Sequence, residues 1–380
     1  MRLNSYDEWS PLKEIIVGSA SGYTEHLADL SFDLFFYDNL TQDNRGRPDG
    51  YYPRLNARNR SASGTRLAIK QRYVDELNED VEEMAKTIAS LGVVVHRPMR
   101  AAGTTGEVTT PAWSAPVLPP HNVRDNTLIL GDEIIETPPK LRARYFETQV
   151  LKPVFQGYFR AGARWTVMPR PWMTDASFDL SYVRFTGGNT EAITDPSPSP
   201  YDVGVEMMFD AAQCLRLGLD LVGNIATANH ALACDWLKRH LAGRFRVHRI
   251  HRLTDGHIDS SVIALRPGVL LIRSASVAEF LPEPLRKWKM IVAPEPEASN
   301  FPQYNDDDLI LTSPFIDLNV LSLDPDTVLA NEACPELMRL LEKNGFTGGS
   351  PPAPASPALR GWAALLHARH GARGGARPLS

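Results

Sequence analysis

Arg124-Asp125-Asn126-Thr127-Leu128-Ile129-Leu130-Gly131-Asp132-Glu133-Ile134-Ile135-Glu136 holds two short apolar runs joined by Gly131-Asp132. Two such runs around a turn dipeptide predict a tight pair of strands. A helical stretch follows over 140–158. It is expected to kink or break at Pro153, because proline donates no N–H and its ring crowds the preceding turn. Arg164-Trp165-Thr166-Val167 then reads as another strand, closed by Met168-Pro169. The unit is strand pair, helix, strand.

Working outward, the same order returns. Residues 209–217 read as a short helix or a strand-turn and 219–224 as a strand. Residues 229–241 read as an amphipathic helix with Leu232, Trp236 and Leu237 facing in, and 245–248 as a strand. The apolar runs 262–265 and 269–272 follow, then 319–323, 327–329 and a helix over 335–343 with proline in its first turn. Near the start, the strand 14–17 stops at Gly18. After it, Val74, Leu77, Val81, Met84, Ile88 and Leu91 recur at three and four residues, which predicts a helix over 67–91 ahead of a strand at 93–95. Residues 23–65, with the aromatic-rich part at 31–53, read as a long loop or lid; 101–122 and 172–204 read as loops. Short strands with single intervening helices predict an α/β or α+β fold of small modules. No repeat is visible residue by residue.

The chain has 380 residues and a net charge of -5. That balance argues against nucleic acid or an anionic membrane as the main partner. No apolar run is long enough to span a bilayer, and the polar, acidic N-terminus is not expected to act as a signal peptide. The three cysteines, Cys214, Cys234 and Cys334, have no zinc-like spacing. Their odd number suits a reducing compartment, so a cytoplasmic location is expected. No Gly-rich phosphate loop is present. A metal set of His248, His251, His257 and Asp259 is disfavoured, since His248 and His251 would face opposite ways on a strand.

The chemistry concentrates near strand ends. In Thr254-Asp255-Gly256-His257-Ile258-Asp259-Ser260-Ser261, read as a strand leading into 262–265, His257 and Asp259 share a face. On this stretch alone, a satisfied core histidine beside a turn aspartate explains as much. Asp125, and Asp210 within Glu206-Met207-Met208-Phe209-Asp210-Ala211-Ala212, add two more carboxylates, each of which singly also fits a solvated turn. A carboxylate fixes a histidine's tautomer and supports the imidazolium, so the ring can serve as general acid and base. Several carboxylates favour a cationic ligand, and a planar guanidinium matches them with paired hydrogen bonds. What the set lacks is a nucleophile, normally a thiolate for attack on a guanidinium carbon.

The ordered series Asn4–Gly18 (NSYDEWSPLKEIIVG), 91–98 (LGVVVHRP), 131–138 (GDEIIETP), 142–147 (RARYFE), 206–212 (EMMFDAA), His257-Ile258-Asp259 and 319–323 (NVLSL) resembles the amidinotransferase family over residues 4–347. The resemblance implies a five-fold pseudosymmetric α/β propeller of ββαβ modules around a central channel, formed by residues 1–347. It implies transfer of an amidino group from L-arginine to a small amine acceptor through a covalent amidino-enzyme, with no cofactor and no metal. A homodimer is expected. His257 would be the general acid and base, with Asp210 its carboxylate partner and a guanidinium contact. Asp125 and Asp259 would hold the substrate. Asp317 stands at a substrate-contacting position with a different residue type. Gln213 replaces an acid that usually follows FDAA. The family closes with a His-Cys pair carrying the nucleophile, whereas this chain has no cysteine after Cys334. Its Gly/Ala/Pro/Arg-rich tail, 348–380, is expected to be disordered or altered, for instance by a shifted reading frame.

Overall fold

The computed structural model describes residues 2–23, 29–33, 54–55, 68–99, 106–178, 206–251, 253–254, 257–295, 309–310, 318–331, 334–349 and 366–369. The lid expected at 31–53, the stretch 179–205, Asp255, Gly256, Asp317 and most of 348–380 lie largely or wholly outside them.

Among the described residues, five three-stranded sheets share one plan. The second sheet runs Thr127–Leu130, Glu133–Glu136, helix Lys152–Arg160 and Arg164–Val167. Its middle strand is antiparallel to the first and parallel to the third. The third sheet repeats this with Cys214–Leu217, Asp220–Ile225, helix Ala228–His240 and Arg246–His251. The fourth uses Val262–Arg266, Val269–Ile272, two one-turn helices and Lys289–Val292. The fifth uses Leu321–Ser322, Thr327–Leu329, helix Pro335–Lys343 and Thr347–Gly349. The first joins the two ends of the sequence: Leu12–Ile16 pairs with Val94–His96 in parallel, across helix Gln71–Ser90, and with Leu366–Arg369 in antiparallel. That last strand falls within the stretch read as tail.

Side chains alternate between the two faces of a strand, and in the first two strands of the second, third and fourth sheets both faces are buried almost throughout. Ile129 and Ile134 meet Ile16 of the first sheet, while Leu128, Leu130 and Ile135 meet Leu221 and Ile225 of the third. Leu215, Leu217 and Val222 meet Val262, Ala264 and Leu270 of the fourth. Ile263, Leu265 and Leu271 meet Val328, Leu337 and Leu341 of the fifth. Leu321 and Leu329 of the fifth meet Leu12 and Ile15 of the first. Each core is thus shared by two sheets, and the series returns to its start.

The N-terminal segment straps this series. Ser5 exchanges backbone hydrogen bonds with Gly131, Gly218 N donates to Tyr6 O, and Leu12 N donates to Leu323 O. Glu8 accepts from the buried Arg216 guanidinium at Nε (2.9 Å) and Nη2 (2.7 Å).

Several local expectations need correction. Residues 106–109 and 114–117 form a hairpin rather than loop; the Thr110 hydroxyl accepts from Ala112 N and Trp113 N and closes its turn. Pro153 opens a helix instead of kinking one, since Lys152–Arg160 begins there after two 3-10 turns. Leu91 and Leu232 are exposed. Leu91 caps its helix, and the inward residues around Leu232 are Ala233, Cys234 and Leu237. Among the described residues no helix is long and apolar enough to cross a membrane.

Gly18 sits where a side chain has no room: a Cβ there would lie 2.0 Å from His121 O and 2.4 Å from Pro120 O. Backbone cannot yield as a side-chain tip can. Gly18→Ala is expected to destabilise the fold by roughly 3 kcal/mol, the upper end for overpacking. Chemical denaturation checks it; an unchanged midpoint would show that the 120–121 backbone moves freely.

Candidate functional site

The site is built from segments that lead into first strands. Asp125 stands just ahead of Thr127–Leu130, Asp210 ahead of Cys214–Leu217, and His257 ahead of Val262–Arg266. Backbone bonds clamp these segments together. Ala211 N donates to Asp125 O (2.5 Å), Thr137 N to Asn126 O (3.1 Å) and Phe209 N to Pro138 O (2.8 Å).

Asp210 caps the 3-10 turn Ala211–Gln213 through a reciprocal pair, its carboxylate accepting from the Gln213 backbone while Gln213 Oε1 accepts from Asp210 N. The amide of Gln213 also reaches His230 Nδ1 (2.9 Å) and Asn224 O (3.3 Å), so an amide in place of an acid is fully engaged here.

His257 lies between two carboxylates. Its Nε2 is 3.0 Å from Asp210 Oδ2 and its Nδ1 is 3.8 Å from Asp125 Oδ1. Burial works against charging the ring, but Asp125 and the hydrogen bond to Asp210 outweigh it and raise its pKa. Burial likewise opposes ionisation of Asp210. The Lys140 ammonium, His257 and Arg144 overcome that cost and hold its carboxyl well below the usual range. Asp125 is fully buried. Its Oδ2 accepts from Arg144 Nη1 (2.6 Å), whereas its Oδ1, the atom facing His257, accepts no hydrogen bond.

Asp259 departs from the expected geometry. It does not share a strand face with His257, because residues 258–260 form a 3-10 turn, in which neighbouring side chains fan out by about a third of a turn each. His257 turns to Asp125 and Asp210; Asp259 pairs with Arg124, which also donates to Cys214 O (3.1 Å). Asp317 lies outside the described residues. His248 is paired with Asp220 at 2.7 Å. Among the described residues no group of three or more His, Cys, Asp or Glu could hold a metal ion.

Three basic residues at the site were not singled out by sequence reasoning. Arg144 links Asp125 to Glu147 through a fork of 2.5 and 2.9 Å. Arg124 holds Asp259, and Lys140 Nζ lies 3.5 Å from Asp210 Oδ2. The 142–147 stretch and the Arg124-Asp125 dipeptide were the available signals. All three cysteines are buried, in apolar cores shared between sheets. Burial pushes the Cys214 and Cys234 thiols up, away from thiolate character.

No family model matches the sequence. The chain is similar to inosamine-phosphate amidinotransferase 1 of Streptomyces griseus, at 31% identity over 90% of this chain and 88% of that protein. It is similar to L-arginine:L-lysine amidinotransferase of Pseudomonas savastanoi pv. phaseolicola, at 29% identity over 90% and 86%. Among solved structures it resembles SxtG, an amidinotransferase of the saxitoxin biosynthetic pathway from Microseira wollei. The TM-score is 0.75 at 28% identity, covering 100% of this chain and 99% of that one.

His257 provides a direct check on this geometry. A histidine with a raised folded-state pKa contributes stability that is fully present below its unfolded value and lost as pH rises through the folded one. Asp210→Asn keeps the cap but removes the charge, so the His257 pKa is expected to fall by about one unit or more. Titration of the imidazole ring protons by NMR reads this, and an unmoved value would mean that Asp210 does not hold the ring.

Proposed function

The chain belongs to the amidinotransferase family, and from that premise we propose that it moves an amidino group from L-arginine to an amine of a small metabolite. The observation that carries the reading is the pair of buried carboxylates, Asp125 and Asp210, bridged by His257, with Asp125 Oδ1 accepting no hydrogen bond. A buried acceptor without a donor is costly, and a guanidinium supplies planar, permanently charged donors to such a group. The relatives act in the same sense: one is an arginine:lysine amidinotransferase by name, and another works in toxin biosynthesis. We place this chain in secondary-metabolite biosynthesis and in the cytoplasm, where cysteines are kept reduced. The five sheets with shared cores are read as the blades of a five-fold pseudosymmetric ββαβ propeller.

In this reading the acceptor amine attacks the guanidino carbon, the bond from that carbon to Nε of arginine breaks, and ornithine leaves. His257, as imidazolium between two carboxylates, gives the departing nitrogen its proton. The neutral ring then takes the proton that the newly bonded amine nitrogen sheds, which restores the imidazolium. Asp210 holds the ring and, with Asp125, accepts from the guanidinium, while Asp259 fixes Arg124. None of the three cysteines suits the nucleophilic step, so slow turnover is expected from the 380-residue chain.

Ornithine release from L-arginine, with glycine or hydroxylamine as acceptor, tests this beside His257→Ala. Slow release that disappears in the variant is the expected result. No ornithine while arginine still binds would replace the transferase with a guanidinium-binding protein.

A further inference from the structure

Lys140 has no part in the chemistry above, yet it stands inside the site. It follows Thr137-Pro138-Pro139, a segment held between the Asp125 and Asp210 lead-ins by the bonds from Thr137 N and to Pro138 O. Its side chain is buried, with Nζ 3.5 Å from Asp210 Oδ2. A buried ammonium is costly unless a carboxylate answers it. Here burial lowers its pKa, while Asp210 and Asp125 act against that shift. Arg144, His257 and His230 are the other titratable or charged groups acting on it or influenced by it.

The charge balance is what makes this position consequential. Each acid of the site already faces a cation of the chain: Asp125 faces Arg144, Asp259 faces Arg124, and Asp210 faces His257 and Lys140. Arg144 is fixed by a fork to Glu147, and Arg124 is tied to a backbone carbonyl. Lys140 is held to Asp210 by the longer contact, and a lysine can shed its charge where an arginine cannot.

We propose that Lys140 is the resident counter-ion of the pocket and sets its affinity for the donor, its ammonium holding the charge position beside Asp210 that a guanidinium must take over. The inference rests on the guanidinium-binding reading of the site. A donor enters a pocket whose charge is already balanced, so it binds only as Lys140 withdraws from Asp210 or loses its proton. Rising pH removes the lysine charge well before that of a guanidinium. Donor affinity should therefore increase with pH.

Calorimetric titration of L-arginine into the full chain, wild type and Lys140→Met, tests this. Methionine keeps length and volume without the charge. The variant should bind about tenfold more tightly at neutral pH, on the scale of close charge-pair couplings. The difference should narrow as pH rises and close by about pH 11, above the ordinary lysine value. Equal or weaker binding by Lys140→Met at neutral pH, in a protein that still melts cooperatively, overturns the proposal and leaves the guanidinium site intact. Absence of arginine binding in both proteins sinks the guanidinium reading together with it. Should the variant fail to fold, the wild type decides alone: its affinity must rise between neutral pH and about pH 11, and a flat profile overturns the proposal.

Discussion

A three-stranded sheet with apolar side chains on both faces cannot bury either face by itself. One helix covers little more than one side of it, and the other side needs a neighbour. The chain meets this constraint by sharing each core between successive sheets, as Leu217 and Val222 do with Val262 and Ala264. Because the fifth sheet packs Leu321 and Leu329 against Leu12 and Ile15, the series of shared cores returns to the first sheet. The strap formed by residues 5–12 crosses from one sheet to the next and carries Glu8 to Arg216, a charge that could not be buried without that partner.

The same plan places the chemistry. In the second, third and fourth sheets the segment before the first strand carries a residue of the site. Asp125, Asp210 and His257 come from three such segments and meet although they are far apart in sequence. Gathering acids in this way demands cations, and Arg144, Arg124 and Lys140 supply them from neighbouring turns. The electrostatics of the site is therefore a property of the repeat, with single residues adjusting it.

Much of this was legible in the amino-acid order. Thr127–Leu130, Glu133–Glu136 and Val269–Ile272 fall where apolar runs meet turn residues, and Pro335–Lys343 begins at its proline. These signals are local and survive without tertiary context. The 106–117 hairpin was hidden because threonine, serine and proline in short strands resemble a loop, and its pairing is what makes it a sheet. The turn carrying His257 and Asp259 read as strand because two-residue spacing suits both, until the 3-10 geometry separates them. That His257, Asp210 and Asp125 come together was suggested by residue type and position beside strands. The ion pairs around them were not, since the contact between Lys140 and Asp210 depends on how two segments cross.

The pairing of Leu12–Ile16 with Leu366–Arg369 joins opposite ends of the chain. Each of the other four sheets closes over a short span of sequence and can form from nearby residues. The first sheet gains its outer strand only when the whole circuit has been laid down. Chain entropy makes that closure less forbidding than the distance suggests, since each doubling of a loop adds only about 0.6 kcal/mol. Its cost lies in time, because contacts between remote residues are made late. The edge of Leu12–Ile16 is therefore the strand whose backbone groups wait longest for a partner during folding, and the one most open to a strand from another molecule in that interval.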